Sequence, residues 1–548
     1  MADSFTSDEQ AVLSRFCSNL DKPVFVLLNL PEAVKGALFS RYSRSDKSLR
    51  RVLLDEFINK PEMGFKEIVG EATRSGIEQA VALRKAEEFY DRVLVGYGDD
   101  SVAELGGAHI ACEDVSNIAS KVLEDSRIGL SPLEKSTRYV YFNQKNADGN
   151  YRYYREPQIM ASEHAALYER TCNLLFDTYS SLMEPVQKYV TDANPKPADA
   201  TDRAYAATVR AKTCDLLRGL LPASALTNVG IFGNGRAFEY LLTKMHASPL
   251  GEMHSLAAEM QTELEKTIPS FVKRASPSNK YGASAHAYMR ETRMAMEEAS
   301  GQLLSNTKPE NREAVELVDY DAKAEEKIIA AMLYPYSHLT LRQLRSSAAG
   351  MGQIARCKLI AEYYGMRQNR RNRPGRALEN AYYTFDILGN YGMYRDLHRH
   401  RMLTQERQEL STLHGYDVPE ELADAGVRDK FEACMQEADS AYREIAKEMP
   451  KQAQYVVPLA YKMRWYITLN LREVLHFTEL RSSPQGHVDY RRVAQQMYAK
   501  VKQVHPALAG GIKFVDMSGG QKLERLEAEK KTDAKLNELD KKYGKGPN

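Results

Sequence analysis

Arg399, His400 and Arg401 stand in a row inside HRHRMLTQERQELS, and Asn470, Arg472, His476 and Arg481 follow inside LNLREVLHFTELR. Three consecutive donors cannot share one helical face or one strand face. Such a run suits a polyanion met at a bend, where guanidinium forks bind phosphate bidentately; taken alone, a solvated basic turn is the plainer reading. On a helix, Asn470 and Arg481 lie about three turns apart and share one face, with Arg472 and His476 one turn apart on another. Among the apolar Leu469, Leu471, Val474 and Leu475 they form either a satisfied polar seam or a ligand surface facing an anion. The first half answers with EKSTRY, where Glu134, Ser136 and Arg138 offer a carboxylate, a hydroxyl and a guanidinium, and with Asn234-Gly235-Arg236 inside NGRAFEYLLTKM. Alone, EKSTRY reads equally well as a surface turn.

The elements that must position these groups come in two copies. Each copy has a helical lead ending in a glutamate, Glu104 or Glu379, and a hydrophobic pair before proline, Leu220-Leu221-Pro222 or Val456-Val457-Pro458. In each, an asparagine follows that proline after twelve residues, Asn-x-Arg opens a helix, and a further proline, Pro269 or Pro506, closes the region. From glutamate to asparagine is 130 residues in the first copy (104 to 234) and 91 in the second (379 to 470), which places an insertion near 140–200. Apolar residues at helical spacing in ALYERTCNLLFDTYSSLMEPVQKYV and VAQQMYAKVKQV, with scarcer alternation in RYVYFN and AYYTFDIL, predict an α+β, helix-dominant fold. The expected domains are a first copy over 1–310, a second over 311–518 after a polar linker near TKPENREAVELVDYDAKAEEK, and a charged tail over 519–548, frayed or disordered.

At 548 residues the chain exceeds one ordinary core, and 43% hydrophobic with 27% charged residues suits a globular, soluble protein. A net charge of +1 gives no global field for nucleic acid, so a basic run such as RQNRRNRPGR reads as a solvated or phosphate-facing loop. No uncharged apolar run of about 18 residues predicts a membrane span, and MADSFTSDEQ lacks the features of a signal peptide. Six scattered cysteines without a CxxC pair fit reduced thiols in the cytoplasm and point to no metal.

Together these segments resemble the flavin-dependent thymidylate synthases. That family carries a strand ending in Arg-His-Arg, a loop of the type Ser-x-Asn-Glu-x-Ser-x-Arg-Tyr, an Arg-x-x-Leu-Pro segment and a helix reading Asn-x-Arg…His-Phe-x-x-Leu-Arg. ENAYYTFDILGNYGMYRDLHRHR follows the family spacing without a gap, NLREVLHFTELR is close to the signature helix, and RIGLSPLEKSTRYV matches the loop with one inserted residue. The departures are sorted. The first copy has Glu124-Asp125-Ser126 where Arg-His-Arg belongs and Met245 where the helix-ending arginine belongs, yet keeps Glu134, Ser136, Arg138 and Arg218. The second keeps Arg399, His400, Arg401 and Arg481, with Gln454 in place of the phosphate arginine. Asp99 and Pro374 replace the family's histidine before the strand, and Asp396 replaces its glutamine before the basic motif.

The resemblance implies two tandem copies forming a pseudo-dimer, with one composite site between the halves and one abandoned site. It implies reductive methylation of dUMP to dTMP with methylenetetrahydrofolate, FAD and NADPH. By matching, Arg481 would polarise the uracil; Glu134, Ser136, Arg138, Arg218 and Arg399 would hold the nucleotide. Ser101, Asn234, Arg236, Arg399, His400, Arg401 and His476 would contact FAD, and Asn470 and Arg472 would line the abandoned site. A homodimer would reproduce the family's homotetramer. Two alternatives stand beside this: a non-catalytic scaffold that kept the fold, and a flavoenzyme acting on another pyrimidine nucleotide.

Overall fold

The structure, a computed structural model, describes residues 4–43, 45–59, 103–126, 128–519 and 523–544. In the first copy, β1 (Gly107–Ser116) runs into α1 (Asn117–Asp125), and β2 (Leu130–Glu134) precedes two long helices, α2 (Ala165–Ala193) and α3 (Asp202–Leu217). After these come β3 (Leu226–Asn234), α4 (Gly235–His246) and α5 (Gly251–Glu265). The second copy adds β4 (Val315–Tyr320), then runs β5 (Tyr382–Asn390), α6 (Tyr391–Leu397), β6 (Leu403–Arg407), α7 (Arg428–Ala446), β7 (Lys462–Asn470), α8 (Leu471–Arg481) and α9 (Val488–Val504). A last helix, α10, spans Leu526–Tyr543.

The repeat read in the sequence is a repeat in topology. The sheets are ordered β1-β3-β2 and β4-β5-β7-β6, so β1-β3-β2 matches β5-β7-β6 and β4 is extra. Their registers agree as well. Leu130 pairs with Gly233 and Leu403 with Leu469, each one residue before the asparagine that ends the strand; Glu134 pairs with Val229 and Arg407 with Trp465, each five before it. That asparagine caps the next helix in both copies: Asn234 Oδ1 accepts from Ala237 N and Asn470 Oδ1 from Glu473 N, both at 2.9 Å. A side-chain oxygen placed there satisfies one of the amides that a helix start leaves unpaired. In β7 the alternation is clean, with Met463, Trp465, Ile467 and Leu469 all buried.

The chain forms two compact units. One gathers the described residues of Met1–Val115, Ala119–Glu134 and Thr227–Lys308; the other gathers those of Ser116–Ile118, Lys135–Leu226 and Pro309–Asn548. The expected boundary near residue 310 follows the repeat, whereas the compact units do not, because the stretch 135–226 of the first copy packs with the second. Within that second unit the two proline segments pair with each other. Ala223 N donates to Val457 O at 2.8 Å and Leu459 N to Leu221 O at 2.9 Å; Ser224 N donates to Tyr455 O and Ala460 N to Gly219 O, both at 3.0 Å. Each bond has its repeat-related mate around the Pro222–Pro458 bridge, the signature of a self-complementary contact about a twofold. Asn117 N donates to Ala223 O as Gly392 N does to Leu459 O, both at 3.0 Å. Asn117 therefore matches Gly392, and Lys121 and Glu124 match Asp396 and Arg399.

Two expectations are corrected. RYVYFN is not a strand: β2 lies just before it, and residues 138–143 are irregular, with buried Arg138 tied to side chains distant in sequence. The polar linker contains β4, whose Val315–Tyr320 pairs antiparallel with β5. Over Leu526–Tyr543 the charged tail is the helix α10. It packs on α3, where Asp533 accepts from Thr201 Oγ1 at 2.7 Å and Lys530 pairs with Asp199 at 2.6 Å. Leu526 and Asp533 are its buried residues, so a seam of polar partners holds a helix that has almost no apolar stripe.

Candidate functional site

α6 delivers Asp396 to a cluster of guanidinium groups, all within the second unit. Arg218, at the end of α3, donates from Nη1 to Asp396 Oδ2 at 3.2 Å. Arg138 grips Asp215 of α3 with a two-pronged contact, Nε and Nη2 each 2.7 Å from a carboxylate oxygen, and donates from Nη1 to Tyr490 Oη at 3.1 Å. The Arg138 and Arg481 guanidinium carbons each lie 5.8 Å from the centre of the Tyr490 ring. Burial alone would raise the Asp396 pKa, but Arg218, Arg138, Arg399 and Arg481 hold it well below the usual carboxylate range. Asp215 follows the same logic: burial pushes it up, and Arg138 chiefly brings it down to about 2. Arg138 and Arg218 come from the first copy, Arg399 and Arg481 from the second.

Four guanidiniums converge on Asp396, with Asp215 beside Arg138, Glu473 acting on Arg481 and Asp489 acting on Arg218; the guanidinium forks are the donors that a phosphate monoester would take. Arg218 also keeps a buried donor in reserve, since its Nη2 has no hydrogen-bond partner among the described residues. The same arginine lines a cavity of about 1090 Å³, together with Lys212, Asp215, Asn390, His487 and Asp489. The cavity meets the cluster at Arg218 and Asp215; Arg138, Asp396, Arg399 and Arg481 do not line it.

The second part of the site is a stripe on α8. Glu473, Phe477 and Arg481 are spaced by four, so they stack along one helical face. The buried His400 ring lies against that stripe, 4.3 Å from the Phe477 ring centre. His400 Nδ1 is 2.6 Å from Glu473 Oε1, and Arg481 Nε donates to His400 Nε2 at 2.9 Å. His476, exposed beside them, has Nδ1 3.4 Å from the same carboxylate oxygen. Burial is the main reason the His400 pKa falls to about 4. Burial likewise lowers the Arg481 pKa against the pull of Asp396.

His400, Glu473 and His476 could also gather around a metal ion. The Arg481 bond opposes this. An imidazole ligating through Nδ1 carries its proton on Nε2, where it could no longer accept from Arg481.

The remaining sequence-predicted residues divide. Ser136 sits beside the cluster, its Oγ accepting from Arg138 N at 3.2 Å. Arg399 and Arg401 are exposed on either side of buried His400. His400 itself does not face outward to a pyrophosphate, because both ring nitrogens are committed within the protein. Glu134 is not available to a nucleotide: its side chain is fully buried in the first unit, 3.0 Å from Lys121 Nζ, and Lys121 also holds Glu124. Asn234 and Arg236 belong to that unit too, Asn234 as the helix cap and Arg236 in a half-exposed pair with Glu104 at 2.8 Å. Arg472 makes the repeat-related pair with Glu379, also at 2.8 Å. Ser101 and Asp99 lie outside the described residues. Sequence reasoning missed Asp215, Glu473 and Tyr490. Only Glu473 left a signal, the four-residue spacing to Phe477 and Arg481.

The chain matches the family model described as thymidylate synthase complementing protein over residues 57–270 and again over 316–507. A UPF0159 protein of Chlamydia muridarum is 44% identical across 97% of this chain and 99% of its own length. The UPF0159 protein Ta1429 of Thermoplasma acidophilum is 35% identical across 91% and 99%. A flavin-dependent thymidylate synthase of Geobacter sulfurreducens is 32% identical over 24% of this chain and 61% of its own length. Among solved structures, a flavin-dependent thymidylate synthase of Helicobacter pylori complexed with FAD and dUMP aligns with 37% of this chain and all of that one, at 18% identity and a TM-score of 0.28. The double match, covering most of the chain in the two stretches that repeat each other in topology, places this protein in the thymidylate synthase complementing protein family as a tandem of two copies.

Proposed function

We propose that the chain is a flavin-dependent thymidylate synthase, converting dUMP to dTMP with methylenetetrahydrofolate and NADPH at one composite site. One observation carries this reading: the four arginines retained separately by the two copies act together on the Asp396 carboxylate. In this reading Arg138 and Arg218 clamp the nucleotide phosphate, Arg399 closes over it, and Ser136 hydrogen-bonds the nucleotide. Arg481 polarises the uracil, as a fixed cation aimed at developing negative charge should.

The group that would complete the site is FAD, and exposed Arg399, Arg401 and His476 fit it as donors along one edge of the cluster. Ser101, Asn234 and Arg236 remain proposed FAD contacts by family matching alone. FAD would accept the hydride of NADPH and handle the one-carbon unit, chemistry that side chains lack. The chain's own work is to hold the phosphate, orient the pyrimidine and keep the Arg481 charge in place.

Titrating the purified chain with FAD and dUMP while recording the flavin spectrum tests this. A spectral shift saturating near one dUMP per chain is expected, and Arg481→Ala should cut turnover at least about 100-fold with flavin retained. The competing reading, a scaffold without chemistry, draws on the carboxylates Asp396, Asp215, Glu473 and Asp489, which already pair with the arginines. Binding of neither ligand would favour it. Light scattering showing a stable monomer would count against the homodimer we propose with this function.

A further inference from the structure

Among the described residues the Arg481 side chain makes one hydrogen bond, and it goes to a histidine. A guanidinium has no acceptor, so when Arg481 Nε approaches His400 Nε2 at 2.9 Å the imidazole nitrogen must present a lone pair. The ring proton then resides on Nδ1, which lies 2.6 Å from Glu473 Oε1 and donates to it. Glu473 is fixed in turn, since its backbone amide is capped by Asn470 and its side chain is buried. The Phe477 ring, tilted by 40° with its centre 4.3 Å away, packs against the imidazole and restricts its rotation. The charged and titratable groups facing this array are Asp396 of α6, Arg399 of the following turn, His476 of α8 and Tyr490 of α9. Of these, Asp396 attracts the Arg481 guanidinium toward the arginine cluster and Arg399 repels it.

We propose that His400 and Glu473 form a positioning pair for Arg481, Glu473 locking the His400 tautomer and His400 Nε2 aiming the arginine by its Nε–H. This rests on the proposed function, because Arg481 is there the group that polarises the pyrimidine. His400 is a positioning residue and touches no reacting atom. The arrangement leaves both Nη groups of Arg481 for the ligand and the cluster. It also explains in physical terms why a residue flanked by two exposed arginines is itself buried.

The test has two readouts. Selectively ¹⁵N-labelled histidine and arginine in the full-length wild-type chain, without ligand, should show His400 in the Nδ1–H tautomer and a protected Arg481 Nε–H signal. His400→Phe, which keeps a ring but no acceptor, should lose that signal, and His400→Gln, whose amide oxygen can accept, should keep it. An Nε2–H tautomer, or an Arg481 signal unchanged in His400→Phe, overturns the pairing whether or not the protein makes dTMP. In turnover, His400→Phe should lower kcat about 10- to 100-fold with the KM for dUMP changed less than about threefold, and His400→Gln should recover most of the loss. Full kcat in His400→Phe overturns the proposal. If wild-type protein shows no turnover while the tautomer and Arg481 signals are as expected, the thymidylate synthase reading fails and the positioning pair stands.

Discussion

The two ends of the repeat solve the same backbone problem and opposite charge problems. In the second copy, Asp396 sits among four arginines. At the matching place in the first copy stands Lys121, fully buried between Glu124 and Glu134, and Glu124 occupies the position of Arg399. The charges are exchanged: a carboxylate held by guanidiniums drawn from both copies at one place, an ammonium held by two carboxylates at the other. The helical stripe changes as well. Glu473, Phe477 and Arg481 correspond to Ala237, Leu241 and Met245, all of them buried apolar residues. One copy keeps an open demand for an anion. The other pairs Lys121 with two carboxylates and buries Ala237, Leu241 and Met245 on its helix, while the strands and caps stay the same.

That contrast can be attacked in order of expected size. Lys121→Met removes the buried ammonium that pairs with both Glu124 and Glu134 and should cost about 3–5 kcal/mol in urea unfolding, as breaking a buried ion pair from one side does. Replacing all three members with apolar residues of similar volume should restore most of that loss; if the single and triple variants are equally unstable, the triad is not a closed unit. Arg481→Met copies the first copy's solution into the second. Turnover should fall at least about 100-fold, roughly 2.7 kcal/mol or more, while thermal unfolding barely moves.

Acid should find the second copy's cluster through Asp215. Its pKa is about 2 in the folded chain against an ordinary value of 3.8, so its stabilisation is complete above about pH 4 and disappears as pH falls through 2. Wild type should therefore lose on the order of 2–3 kcal/mol across that window beyond what Asp215→Asn loses, measured by denaturant titration at each pH. Asp396→Asn removes the carboxylate that competes with a phosphate for Arg218. Affinity for inorganic phosphate or dUMP, read by calorimetry, should rise about tenfold, near 1.4 kcal/mol; a fall would mean that Asp396 organises the arginines more than it opposes the ligand. Last, Asn234→Ala and Asn470→Ala should each cost about 1 kcal/mol, and equally, because each removes the same 2.9 Å cap. A marked inequality would show that the copies share less of their scaffold than their registers imply.

Much of this was legible in the residues. The repeat, the helices around 166–190 and 493–504, the AYYTFDIL strand and the Asn-x-Arg helix starts follow from local periodicity and capping chemistry, which act over a few residues and leave a local mark. So did the pairing of lost and kept arginines, because each sits in a motif. The strand misread at RYVYFN shows the limit: its alternation arises from Arg138 and its neighbours packing in irregular chain, a tertiary cause with a strand-like imprint. The docked α10 shows the same limit from the other side, since Thr201 and Asp199 are far from it in sequence and its own composition carries no apolar stripe.

The sequence by itself determined that there are two copies, where their helices start, and which chemical groups each retains. Only the tertiary structure decided that Pro222 pairs with Pro458, that Asp396 is the counter-charge of the arginine cluster, and that His400 turns inward to hold Arg481. The physical reason is one of range. Propensity, capping and periodicity are set within one or two turns of chain, whereas ion pairing and a histidine's tautomer depend on which groups are brought within about 3 Å by packing, across separations that no local pattern records.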